Sequence, residues 1–187
     1  MWTLVETPVG ALRVVSDGTS LTAVDFLGEL PAGESSSVTV AAARAGALAV
    51  GERHDDDPLL LTAGRQLAEY FSGDRTEFDL PLEPAGTPFQ RRVWDELRKV
   101  PYGEVASYGE IARRLGMSGQ AARAVGLANG RNPLPVVIPC HRVVGADGRL
   151  TGYGGGTSRK RLLLDLEQGA LPLDGPAADG SLGSAAQ

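Results

Sequence analysis

The 187-residue chain has one cysteine, Cys140, and two histidines, His54 and His141. A lone thiol excludes an internal disulfide. Three soft ligands are too few for a four-ligand zinc site built from cysteine and histidine, so no metal is expected. A single unpaired cysteine suits a reducing compartment, and the cytoplasm is the expected location. No apolar run approaches the roughly 20 residues of a membrane-spanning helix. Met1-Trp2-Thr3-Leu4-Val5-Glu6 has neither a basic start nor a long apolar stretch, so no secretory signal is expected. There are no internal repeats and no glycine-rich phosphate loop with a lysine.

Charge is unevenly spread. Residues 1–85 carry a net −9 and residues 86–168 a net +6, within an overall −5. A basic second half points to a polyanion such as DNA. A solvated surface with clustered charge is the plainer alternative.

The first half reads as α/β. Leu12-Arg13-Val14-Val15 and Leu21-Thr22-Ala23-Val24-Asp25-Phe26 are strand-like runs between turn signals. Residues 28–57 read as a loop containing a short alanine-rich helix near 40–50. His54, beside Asp55, Asp56 and Asp57, reads as a solvated loop tip. Residues 58–71 predict a helix with Leu60, Leu61, Gly64, Leu67, Ala68 and Phe71 on its apolar side. Pro84 and Gly86 mark the expected domain boundary.

The second half reads as mostly α. Thr87-Pro88-Phe89-Gln90 and Ser107-Tyr108-Gly109-Glu110 are capping boxes, each opening a helix. A third helix is expected over about 119–129, capped by Ser118 and thin because of Ala121, Ala122, Ala124, Gly126 and Ala128. The pair joined near Gly116 and Met117 reads as a helix-turn-helix. Small residues also serve tight helix packing, which leaves DNA contact open. Val136-Val137-Ile138 predicts a short buried strand delivering Cys140. Residues 157–168 predict a last helix with Leu162, Leu163 and Leu166 inward. Residues 169–187 read as a disordered tail.

Cys140 lies in Ile138-Pro139-Cys140-His141-Arg142-Val143. A neighbouring imidazole and guanidinium favour the thiolate, so Cys140 is a candidate nucleophile. A buried free cysteine is also a common inert core residue.

Arg123-Ala124-Val125-Gly126, Asn132-Pro133, Pro139-Cys140-His141-Arg142-Val143 and Tyr153-Gly154-Gly155-Gly156 stand in the order and spacing of the O6-alkylguanine-DNA alkyltransferases. The chain resembles that family closely over residues 87–167 and loosely over 1–85. The resemblance implies an N-terminal ribonuclease-H-like domain (1–85) and a C-terminal winged-helix-like, helix-turn-helix domain (86–168). It implies repair of O6-methylguanine, and of O4-methylthymine, by one-time alkyl transfer to Cys140. By position, Tyr108 would help rotate the flipped nucleotide and donate a proton to the base. Asn132, His141 and Glu167 would form the network behind the thiol. Arg123 would fill the vacated stack, and Ala121, Ala122, Gly126 and Arg131 would meet the DNA. Val143, Tyr153 and Gly154 would line the base pocket. Gly154 stands where some relatives have serine, which removes one possible donor to the guanine O6. No cofactor is implied. The implied partner is double-stranded DNA containing O6-alkylguanine, entered by the minor groove; the free protein is expected to be a monomer, and no membrane partner is expected.

On a strand, the adjacent Cys140 and His141 would point to opposite faces, so a direct bond between them requires a bend; a bridging water is the expected link, and the resemblance implies one. Two rivals remain at this point. A non-catalytic alkylated-base recognition protein of the same fold would lack the acceptor cysteine. A cysteine hydrolase using Cys140 and His141 would show no salt-sensitive DNA affinity.

Overall fold

The computed structural model describes residues 1–28 and 51–170. The helix expected near 40–50, and the expected tail from residue 171 onward, lie outside the described residues.

β1 (Trp2–Val5), β2 (Leu12–Ser16) and β3 (Leu21–Phe26) form an antiparallel meander in that order. Alternation sets the sheet's faces. Leu12, Val14 and Ser16 of β2 are buried, whereas Arg13 and Val15 are partly exposed. Arg13 stands opposite Asp25 in the register and pairs with it at 2.7 Å. α1 (Pro58–Phe71) lies against β1 and β2, started by Asp57, whose side chain accepts from Leu60 N. Its inner face is Leu60, Ala63, Gln66, Leu67, Tyr70 and Phe71. Leu61, expected inside, is 56% exposed, and Ala68 also faces out. The apolar residues of α1 permit two adjacent stripes about one residue apart, and the position of the sheet selects the stripe carrying Tyr70.

α2 (Pro88–Leu97) and α3 (Tyr108–Arg114) start at the two predicted capping boxes, both fully formed. A 3-10 turn (Gly119–Ala121) leads into α4 (Ala122–Asn129). The cap expected from the Ser118 side chain is absent: Ala121 is the N-cap and no side chain caps it. Small residues let α4 pack closely. Trp94 Nε1 donates to Ala128 O at 2.9 Å, and a Cβ on Gly126 would sit 3.7 Å from the Tyr108 ring.

The strand expected at Val136–Ile138 is a turn instead. Val136 adopts φ +73°, Ile138 N donates to Leu134 O at 2.8 Å, and Asn132 Nδ2 donates to Ile138 O at 2.8 Å. Pro133 and Pro135 restrict the backbone, and Asn132 folds the segment back on itself. The paired strand comes after the cysteine: β4 (Ala106–Ser107) and β5 (Val143–Val144) run parallel, with Ala106 opposite Val143. α5 (Thr157–Glu167) closes the described chain. Leu163, Leu164 and Leu166 of α5 are buried, and so are Arg159 and Lys160.

The two halves share one core. Val24 N donates to Pro133 O at 2.8 Å, and Tyr70 reaches across to Glu167. No helix among the described residues is long and apolar enough to cross a membrane.

Candidate active site

Cys140, His141 and Arg142 form a 3-10 turn, not a strand, so the face alternation expected for Cys140 and His141 does not apply. Both are buried, His141 completely. The turn is held from two sides. Asn129 Nδ2 donates to Cys140 O at 3.3 Å, and the Asn132 side chain accepts from Leu134 N while donating to Ile138 O.

Glu167 is the hub behind the thiol. Its Oε1 lies 2.8 Å from His141 Nε2, and it accepts from Arg142 Nη2 at 2.9 Å and from Tyr70 OH at 2.6 Å. Its Oε2 accepts from Arg142 Nε at 2.9 Å and from Gly103 N at 3.1 Å. Gly103 has φ +78°, and a Cβ there would meet Glu167 O at 3.1 Å, so this backbone donor requires glycine. Burial opposes ionisation of Glu167. The hydrogen bonds from His141 and Arg142, with the Arg142 charge, outweigh it and bring the carboxyl down to about 2. A carboxylate near the C-terminus of α5 meets an unfavourable helix dipole, which the same donors offset.

An ionised carboxylate only accepts, so His141 carries its proton on Nε2. Its Nδ1 is then the acceptor nitrogen, and that atom is buried with no hydrogen-bond partner among the described residues. Burial lowers the pKa of His141, with Glu167 pulling the other way, which favours the neutral ring.

Burial pushes the Cys140 thiol up to about 11, against a hydrogen bond from Asn132 and the charge of Lys160. This corrects the expectation that Arg142 activates the thiol. The Arg142 guanidinium is committed to Glu167, to Val100 O at 2.7 Å and to the Tyr102 ring. The nearby cation that acts on Cys140 is Lys160, completely buried, whose Nζ donates to Val143 O and to Thr151 O. Burial draws its ammonium down to about 8.

Tyr108 is partly exposed; its hydroxyl donates to Thr151 O at 3.0 Å, and the Lys160 ammonium lies 5.9 Å from its ring centre. Burial raises its pKa, so the phenol is protonated at neutral pH. Tyr153 OH is buried with no hydrogen-bond partner among the described residues, and Gly154 is exposed beside it. Val143 is fully buried in β5, with its carbonyl held by Lys160. Arg123 and Arg131 are exposed at α4 and just beyond it; Ala121, Ala122 and Gly126 are partly exposed. Among the described residues, no group of His, Cys, Asp and Glu is placed to hold a metal. His54 is exposed, but its backbone N donates to Trp2 O, so the loop is tied to β1.

Tyr70, Lys160 and Arg159 were not singled out by sequence reasoning. Arg142 was noticed for the wrong partner. A basic pair at the start of an apolar helix, as at Arg159 and Lys160, looks like ordinary surface charge until packing buries it.

A buried cysteine turn backed by a histidine and a carboxylate, next to a helix-turn-helix with exposed arginines, defines a nucleophilic site beside a DNA-binding element. Residues 1–84 match the ribonuclease-like domain of 6-O-methylguanine DNA methyltransferase, and residues 88–169 match that protein's DNA-binding domain. The chain belongs to the methylated-DNA–protein-cysteine methyltransferase family. It is 44% identical over 163 residues to that protein from Mycobacterium leprae, covering 87% of this chain and 89% of the relative. A Mycobacterium tuberculosis relative is 61% identical over 109 residues, covering 58% of this chain and 66% of the relative, just under two thirds of its length. Among solved structures, M. tuberculosis O6-methylguanine methyltransferase is 44% identical, with a TM-score of 0.73, covering 92% of this chain and 95% of that one. The M. tuberculosis OGT crystallised in complex with DNA is 43% identical, with a TM-score of 0.73, covering 91% and 94%.

Proposed function

We propose that this chain repairs DNA by direct, single-use transfer of an alkyl group from O6-methylguanine, and from O4-methylthymine, to Sγ of Cys140. The observation that carries this reading is the buried His141, next to the chain's only cysteine, held to Glu167 through Nε2 so that its Nδ1 is the acceptor nitrogen. A base held in one tautomer, with its second nitrogen available to take up the thiol proton, is what alkyl transfer to sulfur needs.

α4 enters the minor groove, where Ala121, Ala122 and Gly126 permit close approach and Arg131 contacts the backbone. The damaged nucleotide flips into the pocket of Val143, Tyr153 and Gly154, and Arg123 fills the gap. Unstacking costs a few kcal/mol, which the wedge and pocket offset. The thiol proton passes to His141 Nδ1 through a bridging water. Sulfur bonds to the alkyl carbon as the carbon–oxygen bond breaks, and the base leaves with a proton from Tyr108. Solvent exchange then returns the His141 proton to the Tyr108 phenolate. A thioether does not hydrolyse readily and no second thiol accepts the group, so each molecule acts once. The free protein is a monomer in the cytoplasm and needs no cofactor, because DNA is the donor.

The test is intact-protein mass after incubation with a duplex carrying one O6-methylguanine. One methyl in place of one hydrogen adds about 14 Da, and Cys140→Ala abolishes the gain. Binding without any gain in mass would instead assign the chain to non-catalytic lesion recognition.

A further inference from the structure

Arg159 is the least expected side chain in the core. It is completely buried, and it makes no ion pair with a carboxylate among the described residues. Its guanidinium is satisfied by main-chain carbonyls from three separate segments. Nε donates to Val9 O at 2.8 Å, Nη2 to Gly28 O at 2.7 Å, and Nη1 to Gly155 O at 3.1 Å. Val9 precedes β2 and Gly28 follows β3, so two acceptors belong to the N-terminal sheet. The third belongs to the glycine loop that precedes α5.

A second contact runs between the same partners. The guanidinium lies 5.0 Å from the centre of the Phe26 ring, and that ring packs against Tyr153 at 6.0 Å between centroids. Phe26 closes on the loop so tightly that a Cβ on Gly155 would sit 2.7 Å from it. The loop is therefore fixed at a backbone carbonyl by Arg159 and at an aromatic side chain by Phe26, with Arg159 stacked on Phe26. Only a planar fork with several donors can reach three carbonyls in different directions and also stack on a ring.

We propose that Arg159 is a positioning residue through which the N-terminal sheet sets the shape of the Tyr153–Gly156 loop, and thereby the rate at which a flipped base is presented to Cys140. This rests on the proposed alkyl-transfer reading, in which Tyr153 and Gly154 line the base pocket. It gives the acidic N-terminal half a task, although it carries none of the residues assigned to the chemistry. The guanidinium touches no reacting atom. Its effect passes through Gly155 and, by way of Phe26, through Tyr153. Displacing a pocket wall by about 1 Å can cost on the order of a hundredfold in rate, while the hydrogen bonds and ring contact of Arg159 go to Val9, Gly28, Gly155 and Phe26 and none goes to α4, the helix proposed to bind the duplex.

The experiment compares the full chain with Arg159→Lys and Phe26→Leu. Arg159→Lys keeps the charge but loses the fork. Phe26→Leu keeps the guanidinium and removes the ring from both Arg159 and Tyr153, and it serves alone if the lysine variant does not fold. Three quantities are measured on folded protein: affinity for undamaged duplex, single-turnover transfer rate from an O6-methylguanine duplex, and amide exchange along residues 151–156 and 122–129. The expected result is duplex affinity within threefold of the parent, transfer slowed at least tenfold, and faster exchange confined to residues 151–156. A transfer rate within threefold of the parent overturns the proposal. So does a loss of rate matched by an equal loss of duplex affinity or by faster exchange throughout, which marks a general fold defect. If the parent chain transfers nothing, the alkyl-transfer reading fails and the rate proposal with it. The loop exchange then still reports separately whether Arg159 holds the loop.

Discussion

Glu167 Oε1 lies 2.8 Å from Nε2 of His141, and this one hydrogen bond decides which nitrogen of the ring is free. With the proton held on Nε2, the lone pair on Nδ1 is buried and has no partner among the described residues. The same carboxylate takes Arg142 by two of its nitrogens and Tyr70 by its hydroxyl. The residue that follows the cysteine and the residue that ends α5 thus act as one unit, and Tyr70 from the N-terminal half secures it.

His141→Phe removes the acceptor for the thiol proton while keeping a flat ring of similar size. Transfer to Cys140 should slow by about 10²–10⁴-fold, the usual contribution of a positioned base. Duplex affinity should stay near that of the parent. Single-turnover mass spectrometry checks the rate, and an unchanged rate would remove His141 from the mechanism.

Glu167→Gln leaves Arg142 buried without its anion. Breaking a buried pair in this way costs about 3–5 kcal/mol, measured by denaturant unfolding near neutral pH. The loss depends on pH. The Glu167 carboxyl is depressed from 4.5 to about 2 in the folded chain, so its stabilisation is complete above the unfolded value and fades as pH falls toward the folded one. The parent and variant stabilities should converge between pH 4.5 and 2. A gap that stays constant across that window would mean the carboxylate charge is not its source.

Arg131→Ala should weaken binding to all duplexes alike. It should also lower the slope of log affinity against log salt by about 0.9, the value for one phosphate contact. Arg123→Ala should differ: affinity for undamaged duplex changes less than the transfer rate does, because its assigned role is to occupy the space of a flipped base. Equal effects of the two substitutions on rate and salt slope would reduce Arg123 to a phosphate contact.

Leu60→Ala and Leu61→Ala should separate cleanly. Leu60 is fully buried and its truncation costs about 2–5 kcal/mol. Leu61 is 56% exposed, and its truncation should fall within about 0.5 kcal/mol of the parent. Thermal or denaturant unfolding of the two variants reads the difference directly.

The sequence alone determined whatever depends on neighbours in the chain. Thr87 with Gln90 and Ser107 with Glu110 are local capping signals, and both helices start where those signals stand. The lone Cys140, its motif and the basic second half were visible for the same reason: composition and spacing need no tertiary contact. Tertiary structure decided whatever depends on partners distant in sequence. Which stripe of α1 faces inward was settled by the sheet it packs on, and that choice delivers Tyr70 to Glu167, 97 residues away. Val136–Ile138 has strand-forming residues, but Asn132 and the two prolines fold it into a turn. Arg142 was visible beside the thiol, yet only the fold turned it toward Glu167. Arg159 and Lys160 read as surface charge in one dimension. Burial against carbonyls from Val9, Gly28, Val143 and Thr151 made them interior cations, because a buried charge persists only where the folded chain brings polar partners to it.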